Sequence, residues 1–267
     1  VSRLSTAKSP QQMFGAVMKS YFAQKIGVKP EDIVTVSIMP CVAKKGESNM
    51  ELFYGEYAGK DVDVVLTTRE LTRMIRMAHI DAKTLQDVPC DDPMADTTGA
   101  GVIFGTTGGV MEAALRSAYY LITGSDPDPD AFGEVRSSRE QTKWKEAEFH
   151  INDLVVRTAV VNGLGNTREL LDALEKGEVH YDFVEVMACP GGCVGGGGQP
   201  IKDGCELATD RSTNLRKLDE KAKVRFSHEN PSVQKLYEEF LERPLSHKSH
   251  MLLHTDHQAW AMPATDK

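Results

Sequence analysis

The stretch from residue 154 to residue 187 constrains the fold more than any other part of the sequence. Apolar residues crowd positions 154–161 and again positions 183–187, which is the pattern of two strands. Between them, Asn166 to Glu169 has the form of a capping box and Gly177 that of a helix stop, so a helix is predicted there. A strand–helix–strand unit of this kind places its two strands parallel in one sheet, which predicts an α/β fold.

Further elements are predicted on both sides of this unit. Helices are predicted at residues 10–27, 67–78, 110–122, 210–225 and 231–241. Strands are predicted at residues 33–39 and 62–66 and, more briefly, around 102–104. Residues 125–150 carry many charges and Asp-Pro pairs, and they predict an exposed loop.

Composition excludes several classes of protein. With 267 residues, of which 40% are hydrophobic, the chain can bury the core of one large or two smaller domains. Its formal net charge of -8 disfavours nucleic acid and anionic membranes as partners. No apolar run approaches the roughly 20 residues that span a bilayer. Five cysteines, an odd number in a chain too large to need disulfides, favour reduced thiols that serve metal binding or catalysis.

The first chemical motif joins two of these cysteines to a run of glycines. Cys189 and Cys193 flank Pro-Gly-Gly just past the predicted strand at 183–187, and residues 195–198 are all glycine. Glycine allows sharp turns and close approach of the backbone, so two thiolates here can converge on one metal centre, while freed N–H groups can hydrogen-bond to cluster sulfur. The simpler alternative is a glycine-rich turn with incidental cysteines.

The second motif follows the predicted strand at 33–39. Cys41 lies past the carboxyl end of that strand, as Cys189 does in its own unit, and open α/β sheets bind ligands at such ends. Lys44 can hold an anionic ligand, and the carboxylate of Glu47 can relay protons. A buried structural cysteine beside a solvated, charged loop is the alternative interpretation.

The remaining candidates are weaker. Cys90 and Cys205 have no second ligand near them in the sequence, and we interpret both as bystanders. The histidines near the end of the chain show no paired spacing on a predicted helix, which disfavours a zinc site. The turn at residues 105–109 lacks the glycine spacing and the lysine of a nucleotide-binding loop.

Taken together, these segments resemble the iron-only ([FeFe]) hydrogenases. One signature of that family is similar to Met39-Pro40-Cys41-x-x-Lys44-x-x-Glu47. Another is similar to Glu185-x-Met187-x-Cys189-x-x-Gly192-Cys193-x-x-Gly196-Gly197-Gly198-Gln199-Pro200. Residues 4–13 and 99–113 also resemble family segments, and the resemblance extends to about His254. The part from about Asp210 resembles the family's small-subunit segment, fused here to the large-subunit part.

The resemblance implies a centre that forms and splits hydrogen. It consists of a [4Fe-4S] cluster joined through a cysteine sulfur to a two-iron unit with carbonyl and cyanide ligands, together called the H-cluster. The implied cubane ligands are Cys41, Cys189 and Cys193, with Cys193 as the bridge to the two-iron unit. Lys44 would hydrogen-bond to a cyanide, and Ser5 and Glu47 match positions linked to proton movement. The residues implied to line an apolar pocket are Pro10, Gln11, Met39, Phe104 and Met187.

The resemblance also implies an architecture. The expected fold is α/β, with two lobes of mostly parallel sheet flanked by helices, the cluster in the crevice between them and a C-terminal helical extension. Residues 1–208 would form the H-cluster domain, incomplete at its N-terminus, and residues 209–267 the small-subunit-like helical segment.

One departure from the family concerns the cluster ligands. A cubane takes four ligands, and this chain offers three that match. In the family, the fourth ligand and a proton-passing thiol come from a Thr-Ser-Cys-Cys-Pro signature upstream of the segment that resembles residues 4–13. Because the sequence begins at Val1, we expect a fragment of a longer polypeptide that is inactive by itself and needs that upstream segment.

The function expected from the resemblance is reversible reduction of protons to H2. Ferredoxin or an NAD-linked subunit would supply the electrons, maturation proteins would be further partners, and the location would be cytoplasmic, with the periplasm as the alternative. Two other functions stay open: a sensory hydrogenase, or a non-enzymatic iron–sulfur assembly relative. Lys44, Met39 and Met187 argue against the assembly relative, because they suit the ligands of a two-iron unit.

Overall fold

The computed structural model describes residues 3–55, 57, 59–89, 91, 94–136 and 143–256. Cys90, interpreted above as a bystander, lies outside the described residues. The chain divides into two compact units. Unit 1 comprises Val1–Pro93 and Ser232–Lys267, and unit 2 comprises Met94–Pro231.

Short strands alternate with helices along the described residues. The helices are α1 (Pro10–Val17), α2 (Ala23–Ile26), α3 (Ala43–Glu47), α4 (Thr68–Met77), α5 (Gly99–Ile103), α6 (Gly109–Thr123), α7 (Leu164–Glu175), α8 (Ala208–Lys221), α9 (Pro231–Leu236) and α10 (His247–Leu253). The strands are β1 (Val36–Met39), β2 (Tyr54–Gly55), β3 (Gly59–Lys60), β4 (Val64–Thr67), β5 (Trp144–Ile151), β6 (Leu154–Asn162) and β7 (Phe183–Met187).

Unit 1 contains a parallel pair of strands, β1 and β4, with Val36 opposite Val64. This pair confirms the strands predicted at 33–39 and 62–66, although both are shorter than predicted. The capping box predicted at Thr67 is also confirmed: the Glu70 N–H donates to Thr67 Oγ1 at 3.1 Å, and the Thr67 N–H donates to Glu70 Oε2 at 2.8 Å. α4 therefore begins at the carboxyl end of β4. A second, antiparallel pair joins β2 to β3.

The first helical stretch of unit 1 runs from Pro10 to Ile26, as predicted. A π-helical turn at Met18–Phe22 joins α1 to α2, and Gly27 ends the stretch in the left-handed conformation, at φ 69°. A buried ion pair precedes it, because Lys8 Nζ lies 2.7 Å from Asp61 Oδ2. Burial raises the pKa of Asp61, and the hydrogen bond from Lys8 opposes that rise without cancelling it.

Unit 2 contains a three-stranded sheet in the order β5-β6-β7. β6 and β7 are parallel, with Asn162 opposite Met187, and α7 connects them. This is the strand–helix–strand unit predicted from residues 154–187. A core cluster lies where α6 meets β5 and β6, and its buried members are Met111, Leu115, Phe132, Val135, Phe149 and Val160.

Three details of the predicted pattern are wrong. Residues 99–103 form the short helix α5 rather than a strand, because the Thr98 hydroxyl accepts a hydrogen bond from the Gly101 N–H at 3.1 Å and caps a helix. The predicted loop at 125–150 contains most of β5. The predicted capping box at Asn166 is absent, since α7 begins at Leu164 and Asn166 donates to the Asn162 carbonyl at 3.0 Å.

The fold class is α/β, with small sheets flanked by helices, as predicted. Parallel pairs occur in the β1–β4 sheet and in the three-stranded sheet, to which β5 adds an antiparallel strand. The predicted boundary between residues 208 and 209 stays a prediction. Among the described helices, none combines the length and the apolar character that crossing a membrane requires.

Candidate metal centre

In unit 2, both cysteines of the first motif lie in the loop that follows β7. Cys189 comes two residues after Met187, the last residue of the strand, and Cys193 begins a single 3-10 turn that ends at Gly195. Cys189 is half-buried and Cys193 is exposed. Neither thiol is therefore packed away as a core cysteine would be, and both are accessible to a ligand.

The backbone of this loop takes a path that only glycine allows. Gly192 has φ 91° and ψ -166°, and Gly191 has φ 81°. A Cβ on Gly192 would lie 2.7 Å from the backbone nitrogen of Thr107 and 2.8 Å from the carbonyl oxygen of Gly105. Two hydrogen bonds hold the same contact: the Val194 N–H donates to the Gly105 carbonyl at 2.9 Å, and the Thr107 N–H donates to the Gly191 carbonyl at 3.3 Å. The turn before α6 thus supports the cysteine loop directly.

Thr107 brings a buried hydroxyl to this contact. The residue is 3% exposed, and its Oγ1 has no hydrogen-bond partner among the residues that the structure describes. An unpaired buried hydroxyl costs about 1–3 kcal/mol. Sequence reasoning did not single out Thr107, because nothing in its local pattern distinguishes it from any turn threonine.

A buried carboxylate fixes the strand that leads into the cysteine loop. Glu185 on β7 accepts hydrogen bonds from the backbone N–H groups of Gly108 and Met111, both at 2.7 Å. These groups belong to the first turn of α6, where a carboxylate is also favoured by the helix dipole. Burial raises the pKa of Glu185, and the two backbone hydrogen bonds oppose that rise.

The two pocket residues predicted in unit 2 lie on the same elements. Met187 is buried at the end of β7, and Phe104 is half-buried immediately after α5. The Phe104 backbone precedes the turn that contacts Gly192 and Val194. Both predicted apolar side chains therefore belong to the elements that meet at the cysteine loop.

In unit 1, the second motif occupies the turn between β1 and α3. Cys41 is a half-buried free thiol two residues after the end of β1, and Met39, the last residue of β1, is also half-buried. The partial exposure of Cys41 argues against the alternative of a buried structural cysteine.

Glu47 is the centre of a polar network in unit 1. Its carboxylate pairs with Lys44 Nζ and accepts hydrogen bonds from Ser9 Oγ at 2.5 Å and Gln11 Nε2 at 3.0 Å. The Gln11 amide oxygen in turn accepts from Ser37 Oγ at 2.8 Å. Burial by itself would raise the pKa of Glu47, but the donors from Lys44, Ser9 and Gln11 outweigh it and hold the pKa below its ordinary value.

This network brings together three of the predicted site residues and adds one that sequence reasoning missed. Lys44, Glu47 and Gln11 are in contact, whereas Pro10 is exposed and Ser5 is exposed with its hydroxyl accepting from the Ala7 N–H at 3.2 Å. The missed residue is Ser9, which the sequence presents as a helix cap. Its side chain makes no cap bond and donates to Glu47 instead.

No group of three or more His, Cys, Asp or Glu side chains that could hold a metal ion occurs among the described residues. Each unit contributes fewer than three of the cysteines predicted as ligands: Cys41 in unit 1, and Cys189 and Cys193 in unit 2. Cys205, interpreted as a bystander, is exposed in a turn where its N–H donates to the Lys202 carbonyl at 2.8 Å.

Comparison with protein families gives two matches. Residues 1–197 match the C-terminal domain of the iron-only hydrogenase large subunit, and residues 205–260 match the iron hydrogenase small subunit. The first match alone covers well over half of the chain.

Individual relatives agree with this result. The chain is 48% identical over 252 residues to the NADP-reducing hydrogenase subunit HndD of Solidesulfovibrio fructosivorans, covering 94% of this chain and 42% of that protein. It superimposes with a TM-score of 0.78 on a variant of the [FeFe]-hydrogenase from Chlamydomonas reinhardtii, at 41% identity, covering 94% of this chain and 69% of the other. It is also 33% identical over 269 residues to the mouse (Mus musculus) cytosolic iron-sulfur assembly component 3, covering 98% of this chain and 55% of that protein. The chain thus spans about half the length of the curated relatives it matches.

Proposed function

Since the chain belongs to the iron-only hydrogenase family, we propose that it carries the cluster-binding part of an enzyme that reversibly reduces protons to H2. The observation that carries the proposal is the loop around Cys189 and Cys193. Its two accessible thiols flank glycines whose positive φ angles and close backbone contacts exclude any side chain. A loop with incidental cysteines would not need that packing.

The proposed thiolate ligands of a [4Fe-4S] cluster are Cys41, Cys189 and Cys193, with Cys193 bridging to a two-iron unit that carries carbonyl and cyanide ligands. Two observations in unit 2 fit such a group. Both cysteines are accessible, and the buried Thr107 hydroxyl beside their loop is a donor without a described acceptor. Sulfur atoms of a cluster accept hydrogen bonds of this kind, and such bonds tune the reduction potential.

When bound, the two-iron unit would supply the site at which protons and electrons combine. The chain's own residues would hold and move protons near it. Lys44 is proposed to donate a hydrogen bond to a cyanide, and its ion pair with Glu47 holds the side chain in place. Glu47, whose pKa is lowered, stays ionised while it accepts hydrogen bonds from Lys44 and Ser9, and it is proposed to act in proton movement. Ser5 is proposed to act in proton movement at the exposed edge of unit 1.

The residues proposed to line an apolar pocket are Met39, Pro10, Gln11, Phe104 and Met187. Met39, Pro10 and Gln11 belong to unit 1, and Phe104 and Met187 belong to unit 2. Met39 and Met187 each end a strand, so the backbone fixes where these flexible apolar side chains begin. Their proposed task is to exclude water from the two-iron unit, which strengthens the electrostatic interactions there.

For the electron partner, we propose an NAD-linked subunit or ferredoxin. The 48% identity to a subunit named for NADP reduction supports the first. Maturation proteins would deliver the two-iron unit, and the proposed location is cytoplasmic.

Reconstitution of the complete polypeptide that carries this chain, with iron and sulfide under anaerobic conditions, tests the ligand assignment. Cys189→Ser and Cys193→Ser should each lower the iron and sulfide bound per chain and the visible charge-transfer absorbance. Cys205→Ser is the matched control, because Cys205 is an exposed thiol in the same unit, and it should leave both quantities unchanged. Equal iron content in all three variants would show that Cys189 and Cys193 are not cluster ligands.

Infrared spectroscopy tests the two-iron unit and separates the second candidate function. The complete polypeptide that carries this chain, purified after expression with the maturation proteins, should show bands of metal-bound carbonyl and cyanide. The 33% identity to a cytosolic iron–sulfur assembly component supports an assembly function as the alternative. A protein that binds a cubane yet shows no such bands after maturation would favour that alternative.

A further inference from the structure

One arginine holds the cysteine loop of unit 2 at two points. Arg211, in the first turn of α8, donates from Nη1 to the Val194 carbonyl at 2.9 Å, and its Nη2 donates to the Pro200 carbonyl. Val194 directly follows Cys193, and Pro200 lies two residues after Gly198, the last residue of the glycine run. Arg211 Nη1 also lies 2.6 Å from Glu206 Oε1, which orients the guanidinium. The two carbonyls are thus tied to one rigid, planar group.

The same turn of α8 also packs against the loop. A Cβ on Gly191 would lie 3.0 Å from the Ala208 Cβ, and one on Gly195 would lie 3.2 Å from it. Ala208 and Arg211 therefore cover one side of the loop, while the Gly105–Thr107 turn supports it through the hydrogen bonds described above. Cys193 is exposed between these supports.

These contacts join two parts of the sequence that match different family models. Cys193 lies within the large-subunit match, which ends at residue 197, whereas Arg211 lies within the small-subunit match, which begins at residue 205. The small-subunit-like segment is therefore in direct contact with the loop that carries two of the proposed ligands.

We propose that Arg211 is a positioning residue for the cluster: it fixes the loop that presents Cys193, and it sets the reduction potential of the group bound there. The inference rests on the proposed function, in which Cys193 is a ligand. The guanidinium side chain is 21% exposed and donates a hydrogen bond to the carbonyl of Val194, the residue that follows Cys193. A positive charge in such a partly desolvated position favours the more negative, reduced state of a cluster, so it raises the potential.

Three variants separate the contributions of geometry and charge. Arg211→Gln removes the charge and the two-point contact, and Arg211→Lys keeps the charge on a side chain that cannot form the planar fork. Lys217→Gln removes an exposed positive charge from the same helix and is the matched control. Thermal unfolding of all variants identifies any general loss of stability.

Hydrogen exchange in the chain without cluster measures the loop alone. Peptides covering residues 189–200 should exchange about tenfold faster in Arg211→Gln, since hydrogen bonds to a charged donor are lost. Arg211→Lys should show a smaller increase, and Lys217→Gln should match the unsubstituted chain. An unchanged exchange rate in Arg211→Gln would overturn the positioning claim.

Redox titration of the reconstituted complete polypeptide that carries this chain measures the effect on the cluster. Arg211→Gln should lower the midpoint potential. Arg211→Lys should lower it by a smaller amount, and Lys217→Gln should leave it unchanged. A cluster that forms in the unsubstituted chain but keeps the same potential in Arg211→Gln would overturn this inference alone. Failure of the complete polypeptide to bind any cluster would instead overturn the proposed function, and the inference with it.

Discussion

Replacing Glu112 by glutamine should destabilise unit 2 strongly, because this carboxylate belongs to a closed ring of charges. In the ring three acids alternate with three arginines, and each is paired with both of its neighbours. Its members, in order, are Glu112, Arg136, Asp130, Arg225, Asp219 and Arg116. Arg216 on α8 makes a further pair with Glu112. The side chains of Glu112 and Arg116 are both 0% exposed.

The size of the destabilisation depends on the charges that remain after the substitution. Glu112→Gln leaves the buried Arg116 with Asp219 as its acidic partner, and it removes the carboxylate shared by Arg136 and Arg216. Breaking a buried ion pair by neutralising one partner costs about 3–5 kcal/mol, because an uncompensated charge stays buried. The exposed pair between Lys143 and Glu169 gives the contrast, with side chains 65% and 50% exposed. Glu169→Gln should cost at most about 1 kcal/mol.

Urea unfolding followed by tryptophan fluorescence measures this difference. The chain has two tryptophans, so a Trp260→Phe background leaves Trp144 on β5 as the reporter of unit 2. The midpoint for Glu112→Gln should fall well below that for Glu169→Gln, with the slope unchanged. If the two substitutions lower the free energy of unfolding by similar amounts, or if Glu112→Gln lowers it by less than about 1 kcal/mol, the ring of charges does not stabilise unit 2.

Three further predictions concern acid stability, the cysteine loop and the Glu47 network. The pKa values of Glu112 and Asp219 are lowered, by partners that outweigh the effect of burial, and hydrogen bonds from Arg136 and Arg225 lower that of Asp130 to about 2. Their stabilisation is therefore present above the unfolded-state values of about 4 and is lost as the pH falls towards 2. The urea midpoint of unit 2 should accordingly fall over that range, and a midpoint that stays constant would contradict the lowered pKa values. Gly192→Ala should lower the iron bound on reconstitution, because the added Cβ would lie 2.7 Å from a backbone atom. Gly197→Ala is the control and should leave the iron content unchanged, because a Cβ there would have no atom within 4 Å. Equal iron content in the two variants would show that the loop tolerates a side chain at Gly192. Ser9→Ala should raise the pKa of Glu47, as measured by carboxylate infrared titration, while Ser5→Ala should not; a shift only in Ser5→Ala would point to a different hydrogen-bond donor.

The parts of the fold that the sequence predicts correctly are those with a strong local pattern. β6 and β7 are runs of apolar residues separated by a helix, and the parallel pairing follows from that order. The local sequence does not predict β5, because polar residues occupy its exposed positions, including Glu146, Glu148 and His150, while Phe149 and Ile151 are buried. The alternation is present there, but the neighbouring charges and Asp-Pro pairs favour a loop when only the local sequence is considered.

In the candidate site, too, the sequence predicts the residues of contiguous motifs but not the residues that contact them from distant parts of the chain. The cysteines, Lys44 and Glu47 are recognisable because each motif is contiguous, and in the structure Lys44 and Glu47 form an ion pair. Ser9 reaches Glu47 from 38 residues away, and Arg116 reaches Asp219 from 103 residues away. An isolated arginine or aspartate in a sequence is normally a solvated surface charge. Only the ion pair that joins Arg116 on α6 to Asp219 on α8 identifies these residues as members of a partly buried ring of charges.

The cysteine loop is supported by contacts between residues that lie far apart in the sequence. Glu185 contacts the first turn of α6 across 77 residues of sequence, and Arg211 reaches back 17 residues to Val194. α8 then connects these supports to the charged ring, since Arg216 pairs with Glu112 and donates to Thr106 Oγ1 at 3.2 Å. Thr106 lies in the turn that contacts Gly192. A substitution in the ring should therefore loosen the cysteine loop as well as the core, and Glu112→Gln should increase hydrogen exchange at residues 189–200 even where the unit remains folded.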